Sequence, residues 1–111
     1  SDLKTIIPTN GMTITESCTL AEGLFHLPDG ITITGDDITI TAKNTSIISD
    51  NQTGTAISIR GQNINLRDIN ITGFYHGIRA ENCESLKLEN ITVRGTQEID
   101  GIETFLHLWL R

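Results

Sequence analysis

Gly54-Thr55-Ala56-Ile57-Ser58-Ile59-Arg60-Gly61-Gln62-Asn63-Ile64-Asn65-Leu66-Arg67-Asp68-Ile69-Asn70-Ile71-Thr72-Gly73 is followed closely by Gly77-Ile78-Arg79-Ala80-Glu81-Asn82-Cys83-Glu84-Ser85-Leu86-Lys87-Leu88-Glu89-Asn90-Ile91-Thr92-Val93-Arg94-Gly95. The two stretches carry one pattern. Ile57, Ile59, Ile64, Leu66, Ile69 and Ile71 reappear in order as Ile78, Ala80, Leu86, Leu88, Ile91 and Val93, with a single extra residue in the turn before Leu86. Apolar residues in pairs two apart have strand spacing, and the short gaps between pairs leave room only for tight turns. Gly30-Ile31 and Gly101-Ile102 mark further copies, so the glycines stand 24, 23 and 24 residues apart. A repeat of this length, made of strands, predicts a solenoid. The expected fold is all-β: a single-stranded parallel β-helix of about four to five coils, each of three short strands, wound right-handed as parallel crossovers usually are.

Composition agrees. The chain has 111 residues, enough for one domain, and 18 are Ile and 16 Thr, β-branched types suited to a pleated, half-buried surface. Eight Lys and Arg against fourteen Asp and Glu give a net charge of -6 with no basic cluster. A nucleic-acid partner is therefore not expected, because phosphate binding needs a concentrated positive face. No apolar run of membrane-spanning length is present, so membrane insertion is not expected, and no leader peptide is visible.

Residues 1 to 29 form an N-terminal cap and an irregular first coil, ending in the sharp corner Pro28-Asp29-Gly30. Residues 30 to 100 hold the regular coils. After Ala42 the pattern slips, and Lys43-Asn44-Thr45-Ser46 is expected to bulge as an insertion before Ile47 and Ile48. Lys43 to Thr53 is then the excursion long enough to shape a cleft. Residues 101 to 111 form a terminal strand with apolar residues on both faces, and the pattern stops in the middle of a coil.

Chemistry is sparse. Cys18 and Cys83 lack any CxxC or Cys/His ligand spacing and are expected as buried free thiols; no metal site and no cofactor are expected. Asn-x-Ser/Thr triplets begin at Asn44, Asn51, Asn70 and Asn90, as often happens in a chain rich in Asn and Thr. If the residues after the glycines point inward, Thr32, Ser58, Arg79 and Glu103 form an outward column in which Arg79 and Glu103 are neighbours, an ordinary exposed ion pair or one flank of a ligand site. Asp36-Asp37 lies in a Gly-Asp-Asp turn, where Asp commonly caps its own backbone.

Thr19-Leu20-Ala21-Glu22-Gly23-Leu24-Phe25-His26-Leu27-Pro28-Asp29-Gly30-Ile31-Thr32-Ile33, together with residues 56 to 64 and 77 to 83, resembles the coils of right-handed parallel β-helix proteins of the pectate-lyase-like superfamily. The resemblance covers residues 11 to 104. It implies a secreted or cell-surface protein and polysaccharide ligands, but not one activity, since fold alone does not assign chemistry. The resembled lyases carry acidic Ca²⁺ ligands and a basic proton acceptor on the sheet that here offers only the Thr32–Glu103 column. The resembled hydrolases pair a His-Gly element with separated aspartates and an Arg-x-Lys. Here His76-Gly77 follows Tyr75, while Asp36-Asp37 is too distant and no Arg-x-Lys follows, so His76 and Tyr75 read as turn residues.

Two functions are expected from this. One is a non-catalytic structural module that forms a homo-oligomer by end-to-end stacking or strand exchange, through Phe105, Leu106, Leu108, Trp109 and Leu110. The other is a fragment of a carbohydrate-binding or polysaccharide-degrading protein, with Arg79, Glu103, Tyr75, His76 and His107 facing the ligand and aromatic rings stacking on sugars.

Overall fold

Strands made of alternating Ile and Thr cannot satisfy their backbone alone, so each finds its partner one coil away. The computed structural model describes residues 3–50, 53–94, 98–100 and 105–110, the last two spans as backbone. They form eleven strands: β1 (Thr5–Ile6), β2 (Thr13–Ile14), β3 (Cys18–Leu20), β4 (Gly23–His26), β5 (Ile31–Thr41), β6 (Thr45–Ile48), β7 (Thr55–Arg67), β8 (Ile69–Thr72), β9 (His76–Arg94), β10 (Glu98–Asp100) and β11 (Phe105–Leu110). Every pairing is parallel, and no helix occurs among the described residues. The result is a parallel β-solenoid of about four turns. One ladder runs β3-β5-β7-β9, and the third side of the coils runs β4-β6-β8 onto the end of β9.

Stacking places like over like. Ile14, Ile33, Ile59 and Ala80 form one inward column, and Cys18, Ile40, Leu66 and Leu88 another. All of these are buried. On the third side Phe25, Ile47, Ile71 and Val93 align. Phe74 is fully buried at a corner. Burial of these branched side chains is the main stabilising term, since apolar area removed from water contributes in proportion to its extent.

Several expectations are corrected in detail. The first two strands of a coil do not separate at a turn: hydrogen bonding continues around the corner, so residues 55 to 67 are one bent strand. Gly54 is not the counterpart of Gly77. Ile57 lies beside Ile78, so Ala56 takes that place and the coils differ in length more than the glycines suggest. The insertion at Lys43–Ser46 is shorter than expected, because Thr45 occupies the inward position equivalent to Ile69. Its fully buried hydroxyl donates to the Ala21 carbonyl at 2.9 Å, which removes the cost of placing a polar group there.

Two corners are built from residues in the left-handed conformation. Asp37, Asn63 and Ser85 have φ of 57°, 55° and 58°, and Asn44, Asp68 and Asn90 have 55°, 62° and 52°. Asp and Asn tolerate this region better than other non-glycine residues, and here their side chains also bond along the column. The Asn63 amide donates to Asp37 at 2.8 Å, and the Asn90 amide to Asp68 at 2.8 Å. The carboxylate of Asp36 accepts from the Gln62 backbone N–H at 3.2 Å, so it caps the next coil and not its own turn.

The extra residue in β9 coincides with a change in steric packing. Gly35 and Gly61 stack with φ of 133° and 141°, and a Cβ on Gly61 would collide with the Gly35 carbonyl. The next coil has Cys83 there, which carries a Cβ, and the ladder shifts register by admitting Asn82 at φ 53°. Gly61→Ala is expected to lower unfolding free energy by about 3 kcal/mol, from the disfavoured φ and the clash, as read by urea denaturation; an unchanged midpoint would contradict this packing.

Candidate functional site

The outward side of a coil strand is set by the same alternation that fills the core, because neighbouring side chains point to opposite faces. On β2, β5, β7 and β9 the outward column reads Thr13, Thr32, Ser58 and Arg79. Two residues further along, Thr34, Arg60 and Glu81 form a second column. Together with Thr55 these side chains line an open groove of about 480 Å³, to whose lining Ile59 also contributes.

Charge in the groove is concentrated on one carboxylate and two guanidinium groups. Arg60 donates to Glu81 Oε2 at 2.8 Å across the coil step, and Arg79 Nε lies 3.5 Å from Glu81 Oε1. All three side chains remain about half exposed, so water screens the pairs and they add little to stability. Their significance is positional: five hydroxyl-bearing side chains and an Arg-Glu-Arg cluster share one shallow surface. A similar cluster lies on the neighbouring face, where Lys87 and Arg67 approach Glu89 at 2.7 and 3.4 Å, but the groove does not reach it.

Arg79, expected to face a ligand, lines this groove. Glu103 lies outside the described residues; Asp100 takes the register position beside Arg79. His76 opens β9 and does not lie within the turn, and its backbone is beside Thr55, which lines the groove. Its ring meets Tyr75 edge-on, with centroids 4.6 Å apart at 89°, and Tyr75 is exposed. His107, Phe105, Leu106, Leu108, Trp109 and Leu110 belong to β11, whose backbone pairs with β9 and continues the column by another strand, with Leu108 beside Leu88. Their side chains lie outside what the structure describes. Glu81 and Arg60 were missed from sequence. Sequence held part of their signal: the alignment that matches Ile59 with Ala80 gives Arg60 and Glu81 one register position, but not the contact between their side chains. None of the described residues of the Lys43–Thr53 excursion lines this groove. Lys43 and Asn44 line a separate polar depression of about 210 Å³ with Asp68, Asn70 and Asn90.

No group of three or more His, Cys, Asp or Glu positioned to hold a metal ion occurs among the described residues. The cysteines differ from each other. Cys18 is buried, whereas Cys83 is only half-buried and its thiol donates to the Ile59 carbonyl at 3.3 Å. Burial pushes the Cys18 thiol pKa above its ordinary value, with Glu16 adding to the rise. Burial raises Cys83 as well, opposed by nearby backbone hydrogen bonds and Arg60. Both therefore stay protonated thiols at neutral pH, poor nucleophiles and poor metal ligands.

Comparison with known proteins found no matching family model, no matching curated protein and no matching solved structure. Fold and groove together define a class: an all-parallel β-solenoid carrying a hydroxyl-rich, open groove on one outer face.

The thiol shifts carry a sign. A group whose folded pKa is raised contributes its stability below the unfolded value and loses it as pH climbs through the folded one. Stability should thus fall as pH rises beyond the ordinary thiol value of 9.0. Urea midpoints at pH 8 and pH 10 measure this, and Cys18→Ala should flatten the decline; an identical slope in that variant would remove Cys18 from the account.

Proposed function

We propose that this chain is a non-catalytic, carbohydrate-binding β-solenoid module of the pectate-lyase-like kind, acting outside the cell or at its surface. The observation that carries the reading is the groove over β5, β7 and β9. Its hydroxyls and guanidinium groups offer donors and acceptors at the spacing of stacked strands, about 4.8 Å, which suits successive hydroxyl pairs of a sugar chain. An open, shallow surface of this kind accommodates an extended polymer better than a small molecule, which favours a more enclosed cavity.

The non-catalytic part of the reading rests on the acid-base inventory. Glycoside hydrolysis uses two carboxyl groups, one to protonate the leaving oxygen and one to activate water or attack. Among the described residues that line the groove, Glu81 is the one carboxylate, and it is engaged by Arg60 and Arg79.

A second reading, self-association through the ends of the column, is favoured by a specific edge. β4 pairs only with β6 among the described residues, and Leu24 on β4 is 73% exposed. Unpaired strand edges of this kind are templates for another chain.

A glycan screen followed by calorimetric titration tests the first reading. Arg79→Ala should weaken binding at least about tenfold, the loss of a charge-assisted hydrogen bond, and no binding to any neutral or acidic glycan would reject the proposal. Light scattering over a concentration range tests the second. Leu24→Lys, or deletion of residues 105 to 111, should lower the mass of any assembly, and a concentration-independent monomer before mutation would end that reading.

A further inference from the structure

The groove's two guanidinium groups are already occupied. Glu81 receives Arg60 from the coil below at 2.8 Å, and Arg79, two residues earlier on its own strand, lies 3.5 Å away. A carboxylate held between two Arg side chains occupies the position that a carboxylate or sulfate of an incoming ligand would need, because the planar donor fork of Arg matches such groups. We infer that Glu81 is a specificity-determining residue, an internal counter-ion that competes with acidic ligands for Arg60 and Arg79, so that the groove selects neutral hydroxylated sugars over acidic ones. The inference rests on the carbohydrate-binding reading of the groove.

Two observations support it. The competing carboxylate is tethered, so its effective concentration at the guanidinium groups exceeds that of a dilute ligand. The net charge of -6 adds long-range repulsion toward a polyanion. Hydroxyls meet no such competition: the remaining lining is Thr and Ser, and a neutral sugar can accept from the Arg N–H groups and donate to Glu81 without displacing the pair.

The test compares an oligogalacturonate with its carboxyl-reduced, neutral counterpart, so that the ligands differ in charge and little else. The unsubstituted protein should bind the neutral form more tightly. Glu81→Gln, which keeps the shape and removes the charge, should raise affinity for the acidic form about fivefold, the effect of one like charge at contact distance in water, and so narrow or reverse the preference for the neutral form. The gain should disappear when Arg60→Gln and Arg79→Gln are added. A preference of the unsubstituted protein for the acidic form, or no gain in Glu81→Gln, overturns the inference. Binding of neither sugar counts against the carbohydrate reading, and a second arm then still decides the role of Glu81. Inorganic sulfate, followed by NMR of the Arg Nε–H groups, should titrate Glu81→Gln at roughly thirtyfold lower concentration, because its two charges double the repulsion; equal titration of both proteins counts against the competition.

Discussion

Parallel backbone pairing between successive coils is the constraint on which the rest of the structure depends. Each coil is held by the one before it, so a residue's surroundings are set by its register partner more than by its chain neighbours. The inward columns of Ile, Leu and Val follow from this, and so does the conformation of the corners. A corner residue in one coil must adopt the backbone angles of the residue it lies against. That is why left-handed geometry appears in matched sets, Asp37 with Asn63 and Ser85, and Asn44 with Asp68 and Asn90. The cost of that geometry for a residue with a Cβ is lowered by choosing Asp and Asn, whose side chains return hydrogen bonds along the column.

The same constraint builds the outer surface. Arg60 and Glu81 are 21 residues apart in the chain, yet the ladder makes them contacts. Threonine dominates the outward columns of the earlier coils, as at Thr13, Thr32 and Thr34, while Arg60, Arg79 and Glu81 follow in the later ones. The groove therefore grades from neutral hydroxyls to a charged cluster along the solenoid axis. A ligand crossing several coils would meet both.

Much of the fold was legible because period-two alternation and a repeated order of apolar residues have few physical solutions. Ile57 to Ile71 and Ile78 to Val93 align as expected, and so does the extra residue, which the ladder places at Asn82. The differences arise at a glycine and at a polar residue that stand outside their usual roles. Gly54 belongs to a corner and lies outside the Ala56–Gly77 register, and Thr45, polar by type, fills a core position because Ala21 supplies its hydroxyl with an acceptor. The candidate site was half legible: Arg79 followed from the outward column, whereas Arg60 and Glu81 emerged once the side-chain reach across the coil step was known.

By itself the sequence determined the class of fold, its parallel strands and the set of residues that fill its interior, because alternation of branched apolar and polar residues is a local property that survives any change of loop length. Only the tertiary structure decided how long each coil is, where its corners bend and which outward charges meet. Those depend on register between segments distant in the chain, and register is settled by collisions and hydrogen bonds, such as that of Gly61 against Gly35 or Asn63 with Asp37, which exist only once the coils are stacked.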